Sequence, residues 1–497
     1  MSNDAMRRDH TRDLQDHPIT DRGAAARATL TALAALLSGV VLLLAGCASP
    51  QGIAPTRHVD APADVAASDT PWPATRWWQA YGDTQLDALV DKALTGQPGL
   101  QVAEARLRQA QAAVDANQAA RGPQVNASVE LTNQRYTENG LVPPPIAGST
   151  RWNNSATLGA SWGLDLFGRQ RAALDASVGQ WRAAQADAQA ARVLLAGNVS
   201  AAWFNLGRLI DARAVAAQSL LQREQVLALV RQRIAAGLDT TVELRQAEGL
   251  IAQSRVEVEV LDESIARTRH ALAELSGQAP NALDAVEPTL AGVRDVVLPA
   301  TLPADLLGRR ADLVAQRWRV EAALRDVDAA RAQFYPDINL AAFVGLSSLG
   351  LDRFVEAGAR TYGIGPALHL PVFDGGRLRA NLSARSAEVD AAIDGYDGTL
   401  LRALREVADE LDSLRHLARQ QQAQEQASAA AEAAYALAVQ RYQAGLGNFL
   451  VVLNAENNVL AQRRAAIDLK ARRLTADAAL QRALGGGYRA DALPNKS

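Results

Sequence analysis

The side chain best suited to covalent chemistry is a single thiol, that of Cys47, in a chain of 497 residues with no other cysteine. It follows the 17 uncharged residues from Ala28 to Leu44, and Arg22 and Arg27 precede this apolar run. Basic residues, an apolar run and then small residues are the layout of a secretory signal. One cysteine cannot close a disulfide within the chain, so a secreted protein needs another use for this thiol.

The sequence LAGC that ends at Cys47 resembles the bacterial lipobox. In a lipobox the thiol receives a diacylglyceryl group, cleavage makes the cysteine the new amino terminus, and its amine is acylated. We therefore predict a lipobox formed by Leu44, Ala45 and Gly46 and covalent lipid on Cys47, with no other cofactor. The two residues that follow are not acidic, which favours the outer membrane. An uncleaved inner-membrane anchor is the alternative, because the apolar run is close to the minimum length of a membrane-spanning helix.

Composition excludes several classes of protein. The net charge is −3 with 21% charged residues, so the chain lacks the basic excess that nucleic-acid binding requires. Aromatic residues make up only 5%, and alanine, leucine, arginine and glutamine dominate long stretches, which favours helices. After Leu44 no uncharged apolar run approaches the length of a transmembrane helix. Any membrane crossing by the mature chain is therefore expected to use strands.

Catalytic motifs give no support for an enzyme. The sequence contains no HExxH, no GxxxxGK and no GxSxG, and its six histidines are scattered. We expect His369 to be a wall residue on the lumen side of a strand.

The distribution of proline predicts very long helices. No proline occurs between Pro145 and Pro280, or between Pro371 and Pro494. Within these windows apolar and small residues recur mostly every three or four positions, which is typical of an amphipathic helix. A helix from about residue 171 to residue 235 would be about 100 Å long. Its small residues would let neighbouring helices approach closely; a solvent-exposed coiled coil is the alternative.

The chain also repeats itself. RIAAGLDTTVELRQAE, residues 233–248, matches RYQAGLGNFLVVLNAE, residues 441–456, without a gap at an offset of 208. AAVDANQAARGPQVN, from Ala112, matches RDVDAARAQFYPDIN, from Arg325, at an offset of 213. These matches predict a duplicated unit in which each half runs helix, β-hairpin, long helix, turn and helix.

The predicted hairpins, at about 123–167 and 336–373, alternate with a period of two. Val125, Ala127 and Val129, for example, share one face, and polar residues share the other. An apolar face opposite a small, polar face suits a membrane barrel with a wet lumen, and a soluble sandwich is the alternative. Four strands cannot close a barrel across a membrane, so several copies must contribute to one.

Several motifs, taken together, resemble those of one protein family. RWWQAYGDTQLDALVDKALTGQPGLQVAEARLRQA, residues 76–110, resembles the opening of the outer membrane factor family, in the NodT-like lipoprotein branch of TolC-type efflux channels. The lipobox, FGR near Phe167, FDGGR near Phe373 and RYQAGLGNFLVVLNAE are similar to that family in the same order. The likeness covers essentially all of the mature chain. On the residues alone, Trp77 and Trp78 are expected to pack in a core.

The resemblance implies a mainly α fold with a membrane β-barrel, in which a homotrimer forms a 12-stranded barrel and a 12-helix periplasmic tunnel. It implies passive efflux, with a periplasmic adaptor (membrane fusion protein), an inner-membrane pump of the RND type and outer-membrane lipid as partners, and a belt at mid-length formed by residues around 280 to 305 and both chain ends. A lipid-anchored periplasmic coiled-coil adaptor or scaffold is the rival interpretation. The expected division is a lipoprotein signal peptide (1–46), a lipidated linker (47–75), a first repeat (76–280), an equatorial linker (281–301), a second repeat (302–487) and a tail (488–497).

The resemblance also implies that the tunnel closes at the helix turns near Gly237 and Gly445. The chain keeps a tyrosine found there in some relatives, Tyr442, but lacks the charged residues that follow it. We hypothesise that Asp239 and Glu243, repeated threefold, form an acidic constriction that favours cations, because rings of charge set selectivity in pores. In this hypothesis Tyr442 and Asn454 brace the constriction. The alternatives are that Asp239 caps a helix and that Glu243 lies on a solvated face.

Overall fold

The computed structural model describes residues 49–58, 73–294 and 310–488. The predicted lipobox and Cys47 lie outside these residues, as do part of the equatorial linker and most of the tail. The α-helices are α1 (Thr84–Gly96), α2 (Pro98–Ala120), α3 (Arg169–Ala235), α4 (Thr241–Leu275), α5 (Ala311–Ala332), α6 (Arg377–Gln443) and α7 (Phe449–Ala483). The strands are β1 (Gln124–Arg135), β2 (Thr150–Gly163), β3 (Asp337–Leu349) and β4 (Arg360–His369), and short 3-10 turns cover Trp77–Tyr81, Pro280–Leu283 and Ala357–Ala359.

The two halves of the chain contain the same elements in the same order. Each runs from a helix (α2 or α5) through a β-hairpin to a helix of 67 residues and then one of 35 residues. This shared order confirms the predicted duplication. A helix of 67 residues is about 100 Å long, which confirms the predicted long helix. Small residues allow close packing: a Cβ added to Gly179 of α3 would lie 2.9 Å from the Cβ of Ala322 in α5.

The four strands form one antiparallel sheet in the order β1-β2-β3-β4, so β2 and β3 join the two halves. The register places Ala127, Leu158, Val344 and Tyr362 side by side in a row across the sheet. Most apolar residues of the four strands therefore share one face, and Phe343 and Leu349 of β3 lie on the other. The shared apolar face is open in the single chain, where Val344 is 56% exposed and Tyr362 is 81% exposed.

The opposite face of the sheet carries small and polar residues, including Gly159, Gly345 and Gly363. There is no room for a side chain at Gly363, because an added Cβ would lie 2.7 Å from the ring of Phe343. Within the part of the chain that the structure describes, β1 and β4 each have one neighbour, so the sheet has two open edges. Open strand edges are not tolerated in lipid. In a membrane this sheet requires further copies that pair with both of its edges.

The largest core lies halfway along α3. Trp77, Trp78 and Tyr81 pack there against α3, together with Leu272 of α4 and residues of α7. Trp77 and Trp78 are 3% and 4% exposed, which confirms that they are packing residues. The hydroxyl of Tyr81 donates a hydrogen bond of 2.6 Å to the Asp477 carboxylate in α7.

The segment after α4 wraps the same level of α3. Leu290 belongs to this core, and its backbone N–H donates to the carboxylate of Asp211 at 3.1 Å. The stretch of chain that begins at residue 73 and the end of α7 pack beside this segment. The family resemblance predicts a belt formed by these same parts of the chain at mid-length. Among the described helices, α3 alone contains a stretch that is long and apolar enough to span a membrane, but 56% of that stretch is buried within the protein, as expected of a core helix.

Candidate functional site

The candidate site lies at the far end of the long helices, where two turns reverse the chain. In the first turn the Leu238 N–H donates to the Arg233 carbonyl at 2.9 Å, and in the second the Leu446 N–H donates to the Arg441 carbonyl at 2.8 Å. A glycine with a left-handed backbone occupies each turn: φ is +69° at Gly237 and +75° at the equivalent glycine of the second turn. A left-handed glycine directly after a helix is the common way to end it and to satisfy its last carbonyl groups.

Different side chains start the two returning helices. Thr240 caps α4, and Glu243 completes a capping box because its carboxylate accepts hydrogen bonds from the backbone N–H (2.9 Å) and the hydroxyl of Thr240. The hydrogen bond from the Thr240 side chain, followed by backbone N–H groups, lowers the pKa of Glu243. In α7 the cap is Asn448, whose side chain accepts from the Val451 N–H at 3.1 Å.

Three side chains close together between the turns, and we call Arg233, Asp239 and Tyr442 the tip cluster. The Arg233 guanidinium binds the Asp239 carboxylate through two hydrogen bonds, Nε to Oδ2 at 3.0 Å and Nη2 to Oδ1 at 3.2 Å. The Tyr442 hydroxyl donates to the same carboxylate. Arg233 also donates from Nη1 to the Tyr442 carbonyl at 2.9 Å and lies 4.4 Å from the centroid of the Tyr442 ring. The cluster therefore joins the end of α3 to the end of α6.

Burial and hydrogen bonding fix the charges of the tip cluster. The side chains of Arg233 and Asp239 are only 11% and 8% exposed. Burial raises the pKa of the Asp239 carboxyl, but the hydrogen bonds from Arg233 and Tyr442 outweigh it, so the net pKa lies below its usual value. Burial and the hydrogen bond to Asp239 raise the pKa of the Tyr442 phenol well above its usual value. At neutral pH the cluster is thus a carboxylate, a guanidinium and a neutral phenol.

This geometry corrects part of the acidic-constriction hypothesis. Asp239 is not a free acidic group, because the left-handed turn brings Arg233 back onto its carboxylate and neutralises its charge. Asp239 is not the helix cap either, since Thr240 has that position. Of the two residues predicted to brace the constriction, Tyr442 donates a hydrogen bond to Asp239. Asn454 is exposed, and no hydrogen bond among the described residues joins it to the cluster.

The residue that sequence reasoning missed is Arg233. It was visible within the repeat as a basic residue in the last turn of α3, where a cation interacts favourably with the helix dipole. An arginine one turn before a helix-ending glycine, with an aspartate two residues after that glycine, is the local signal for this pair.

A second polar group is buried about 15 Å further up α3, ten residues from Arg233. Arg223 donates from Nε to the Glu456 carboxylate of α7 at 3.1 Å and from Nη1 to the Ser254 hydroxyl of α4 at 2.8 Å. It also donates from Nη2 to the side-chain oxygen Oδ1 of Asn457 at 3.2 Å. The side chains of Arg223 and Glu456 are 10% and 5% exposed. Arg223, Ser254 and Glu456 are buried and Asn457 lies at their exposed edge. We call these four residues the buried network; it ties α3, α4 and α7 together.

An apolar layer separates the tip cluster from the buried network. It contains Val230 of α3, Ala247 of α4, Ala438 of α6 and Val452 of α7, all buried in one cluster with the Tyr442 ring. The ends of α3 and α6 and the starts of α4 and α7 are thus held by two polar groups with packed side chains between them. This arrangement can hold the helix ends together, and the polar groups are the points at which it can be released.

Elsewhere, the described residues contain no group of three His, Cys, Asp or Glu side chains placed to hold a metal ion. His369 pairs with Asp337 across β3 and β4 and belongs to the small-residue face of the sheet. Arg169 donates to Asp337 at 2.9 Å, so this charged set links the sheet to the first residue of α3.

Comparison with known proteins gives consistent matches. A sequence model described as outer membrane efflux protein matches residues 89–278 and 302–486. The chain is 38% identical over 376 residues to the fusaric acid resistance protein FusA of Burkholderia cepacia, covering 73% of this chain and 71% of FusA. It is 33% identical over 478 residues to the multidrug resistance outer membrane protein MdtQ of Escherichia coli, covering 90% and 97%. The crystal structure of the outer membrane protein VceC from Vibrio cholerae superposes with a TM-score of 0.79 at 36% identity, covering 84% of this chain and all (100%) of VceC.

Proposed function

Because the chain belongs to the outer membrane efflux protein family, we propose that it is the outer-membrane channel subunit of a tripartite efflux pump, through which substrates leave the cell passively. The fold is that of TolC-like outer membrane channels. The relatives are named for resistance to fusaric acid and to multiple drugs, so we expect small organic toxic compounds as cargo. The channel itself is not expected to catalyse a reaction.

One observation supports this function above the others: the sheet has a continuous exposed apolar face and two open edges. Three copies supply twelve strands, so that β4 of each subunit pairs with β1 of the next and no edge faces lipid. The same three copies bring α3, α4, α6 and α7 together as twelve helical segments. The two longer helices of each copy, α3 and α6, are each about 100 Å long. In this trimer the apolar face meets lipid and the small-residue face lines the barrel.

The tip cluster is proposed to hold the periplasmic end of this tunnel closed. It fastens α3 to α6 at the level of the turns, and separating these helices exposes the Asp239 carboxylate and the Arg233 guanidinium to water. Glu243 is now the only residue proposed to form the acidic constriction, because its carboxylate keeps its charge at neutral pH. Asn454 lies on the exposed surface of α7.

The periplasmic adaptor and an inner-membrane pump of the RND type are the proposed partners. The exposed leucines of the turns support an apolar contact with an adaptor: Leu238 is 62% exposed and Leu446 is 71% exposed. Leu450 and Val451 at the start of α7 are also more than half exposed, and grouped exposed apolar side chains are typical of protein contact surfaces.

Covalent lipid on Cys47, a diacylglyceryl thioether plus an N-acyl group, is proposed as the anchor in the outer membrane. The solitary thiol after a secretory signal supports this, because acylation consumes both the thiol and the new amino terminus.

The deciding experiment is the mass and shape of the mature protein purified in mild detergent. We expect a trimer with threefold symmetry and a length of about 100 Å or more, since the long helices alone have that length. A monomer, or a compact particle, would contradict the proposal.

A matched variant separates the channel from the rival scaffold interpretation. Cys47→Ala removes the lipid and leaves the strands intact. A channel in this variant still needs detergent, because its barrel faces lipid, whereas a scaffold becomes a detergent-free periplasmic protein.

A further inference from the structure

The N-terminal segment, residues 49–58, lies on the first part of α6 and makes specific contacts at both of its ends. Its first residues are bound by Arg379, in the first turn of α6, whose Nη1 donates to the carbonyl groups of Ser49 and Gln51. The side chain of Ile53 then packs, half-buried, against the apolar cluster shared by α5 and α6.

The far end of the segment is held by a carboxylate. Asp390 of α6 accepts hydrogen bonds from the Thr56 N–H at 2.8 Å, the Thr56 hydroxyl at 2.7 Å and the Arg57 N–H at 2.9 Å. These bonds, with that from the Arg57 N–H foremost, lower the pKa of Asp390, so the carboxylate stays charged at neutral pH. Arg57 adds an ion pair with Asp394 at 3.2 Å.

The spacing of these contacts shows that the segment runs along the helix rather than across it. Eleven residues separate Arg379 from Asp390, which is a rise of about 17 Å on an α-helix. The segment turns at Gly52, where φ is +78° and the Ile53 N–H donates to the Pro50 carbonyl at 3.4 Å. The seven steps from Ser49 to Thr56 are long enough to cover the distance along α6 even with this turn. The segment and α6 run in the same direction, so its start is level with the start of the helix.

The start of α6 also carries the side chains expected at a membrane surface. The loops that lead from the sheet into α3 and α6 expose Phe167 (46%) and Phe373 (86%). Two arginines follow in each case, Arg377 and Arg379 in the second half. Aromatic residues followed by basic ones are typical of the boundary between lipid and water.

We infer that α6 holds residues 49–58 as a fixed connector between the channel wall and the lipid anchor, with Arg379 and Asp390 as its positioning residues. Cys47 lies two residues before Ser49, and two residues reach at most about 7 Å. The acyl chains therefore enter the inner leaflet directly beside the barrel instead of at the end of a free tether. This inference rests on the proposed lipidation of Cys47.

Hydrogen exchange on the full lipoprotein in phospholipid nanodiscs tests the clamp. The Thr56 and Arg57 amides are expected to be protected in the wild type and to exchange about tenfold faster or more in Asp390→Ala, which removes all three hydrogen bonds. Asp397→Ala is the matched control, because Asp397 is an exposed carboxylate seven residues further along α6; its exchange should equal that of the wild type. Unprotected amides in the wild type, or equal exchange in Asp390→Ala, would overturn the inference.

A spin label tests the membrane end. An acylated Cys47 has no free thiol, so Gln51→Cys provides the single labelling site. We expect a restricted nitroxide, and a mobile one when Arg379→Ala is added; a nitroxide that is mobile in both cases, or restricted in both, contradicts the clamp. The intact mass of the same sample reports acylation of Cys47 separately, so that failure of the proposed anchor and failure of the clamp can be told apart.

Discussion

The two helix turns share one backbone but differ in chemistry. Both end a 67-residue helix with the same hydrogen bond and a left-handed glycine. The first turn then carries Asp239 where the second has Gly447, and the second helix carries Tyr442 where the first has Ile234. The pair of turns therefore forms one tip cluster per subunit and not two. Duplication preserved the fold of the turn, and the side chains of the two copies became complementary.

The same asymmetry recurs at the buried network. The position equivalent to Arg223 in the second half is Ala431, which is buried, and the position equivalent to Glu456 in the first half is Glu248. Glu248 is half-buried, with 35% of its side chain exposed, and pairs with Arg245 at 2.9 Å and Arg231 at 3.8 Å. In both polar groups the first half supplies the arginine and the second half supplies one of the groups that bind it. Contacts within the first half, from Asp239 and Ser254, complete each group.

The largest effect is expected from Arg223→Ala. This change leaves the Glu456 carboxylate buried without its cation, which should lower the free energy of unfolding by about 3–5 kcal/mol. Denaturant titration followed by circular dichroism measures it. Glu248→Ala, at the equivalent but more exposed position, should cost about 1 kcal/mol or less, because its arginine partners are themselves exposed. Similar losses in the two variants would contradict the asymmetry.

The next effect is expected from Arg233→Ala, which leaves Asp239 buried without a cation. We expect the closed tip to be destabilised by about 2–4 kcal/mol. The open probability in planar bilayers should then rise more than tenfold, because about 1.4 kcal/mol corresponds to a factor of ten. The matched control is Arg441→Ala, the exposed equivalent in the second half, and an equal rise in that variant would show that the tip cluster does not hold the tunnel.

Acid should also open the tip, because protonation of Asp239 weakens its pair with Arg233. The pKa of Asp239 is lowered in the folded protein, so its contribution is present above its ordinary value of about 3.9 and is lost as the pH falls below it. The raised pKa of Tyr442 keeps its contribution throughout the range below its ordinary value of about 10. Conductance should thus be constant from about pH 5 to pH 9 and rise only in stronger acid. The comparison variant is Asp239→Asn, which should lack this acid transition; opening of the wild type near pH 6 would argue against the assignment.

A smaller effect is expected from Tyr442→Phe. The change removes the hydroxyl that donates to Asp239 but keeps the ring beside the Arg233 guanidinium, so we expect a loss of about 1 kcal/mol. In bilayer recordings this gives a rise in open probability of about fivefold. Tyr435→Phe, at a half-buried tyrosine of the same helix, should leave the recordings unchanged. If both variants behave alike, the hydroxyl of Tyr442 has no special role.

The smallest effect is expected from restoring the missing carboxylate with Gly447→Asp. The site has room, since an added Cβ would lie 3.5 Å from its nearest neighbour, the Tyr442 backbone nitrogen. A carboxylate there lies beside Arg441 and should stabilise the closed tip by about 1 kcal/mol or less, because the pair is exposed. The gain should disappear when Arg441→Ala is combined with it. A gain that persists in the double variant would have another cause.

Most of the fold could be predicted from local patterns. The long proline-free stretches, the alternating segments and the repeat at an offset of 208 predicted the helices, the hairpins and the duplication that the structure has. The packing roles of Trp77 and Trp78 were also predicted correctly. At the tip, the sequence points to Tyr442 and Asp239 as candidates, but not to Arg233, which binds both. The capping box of Thr240 and Glu243 was missed although its spacing is a known local signal.

The sequence by itself therefore determined the elements: where the helices run, where glycine turns them, and which face of each strand is apolar. These features depend on neighbours a few residues apart, so one chain segment is enough to specify them. Only the tertiary structure decided that Arg233 binds Tyr442 and that Arg223 binds Glu456, more than 200 residues away in each case. Such pairs depend on the height at which two long helices align. That height is set by packing along the whole helices, which no single stretch of sequence contains.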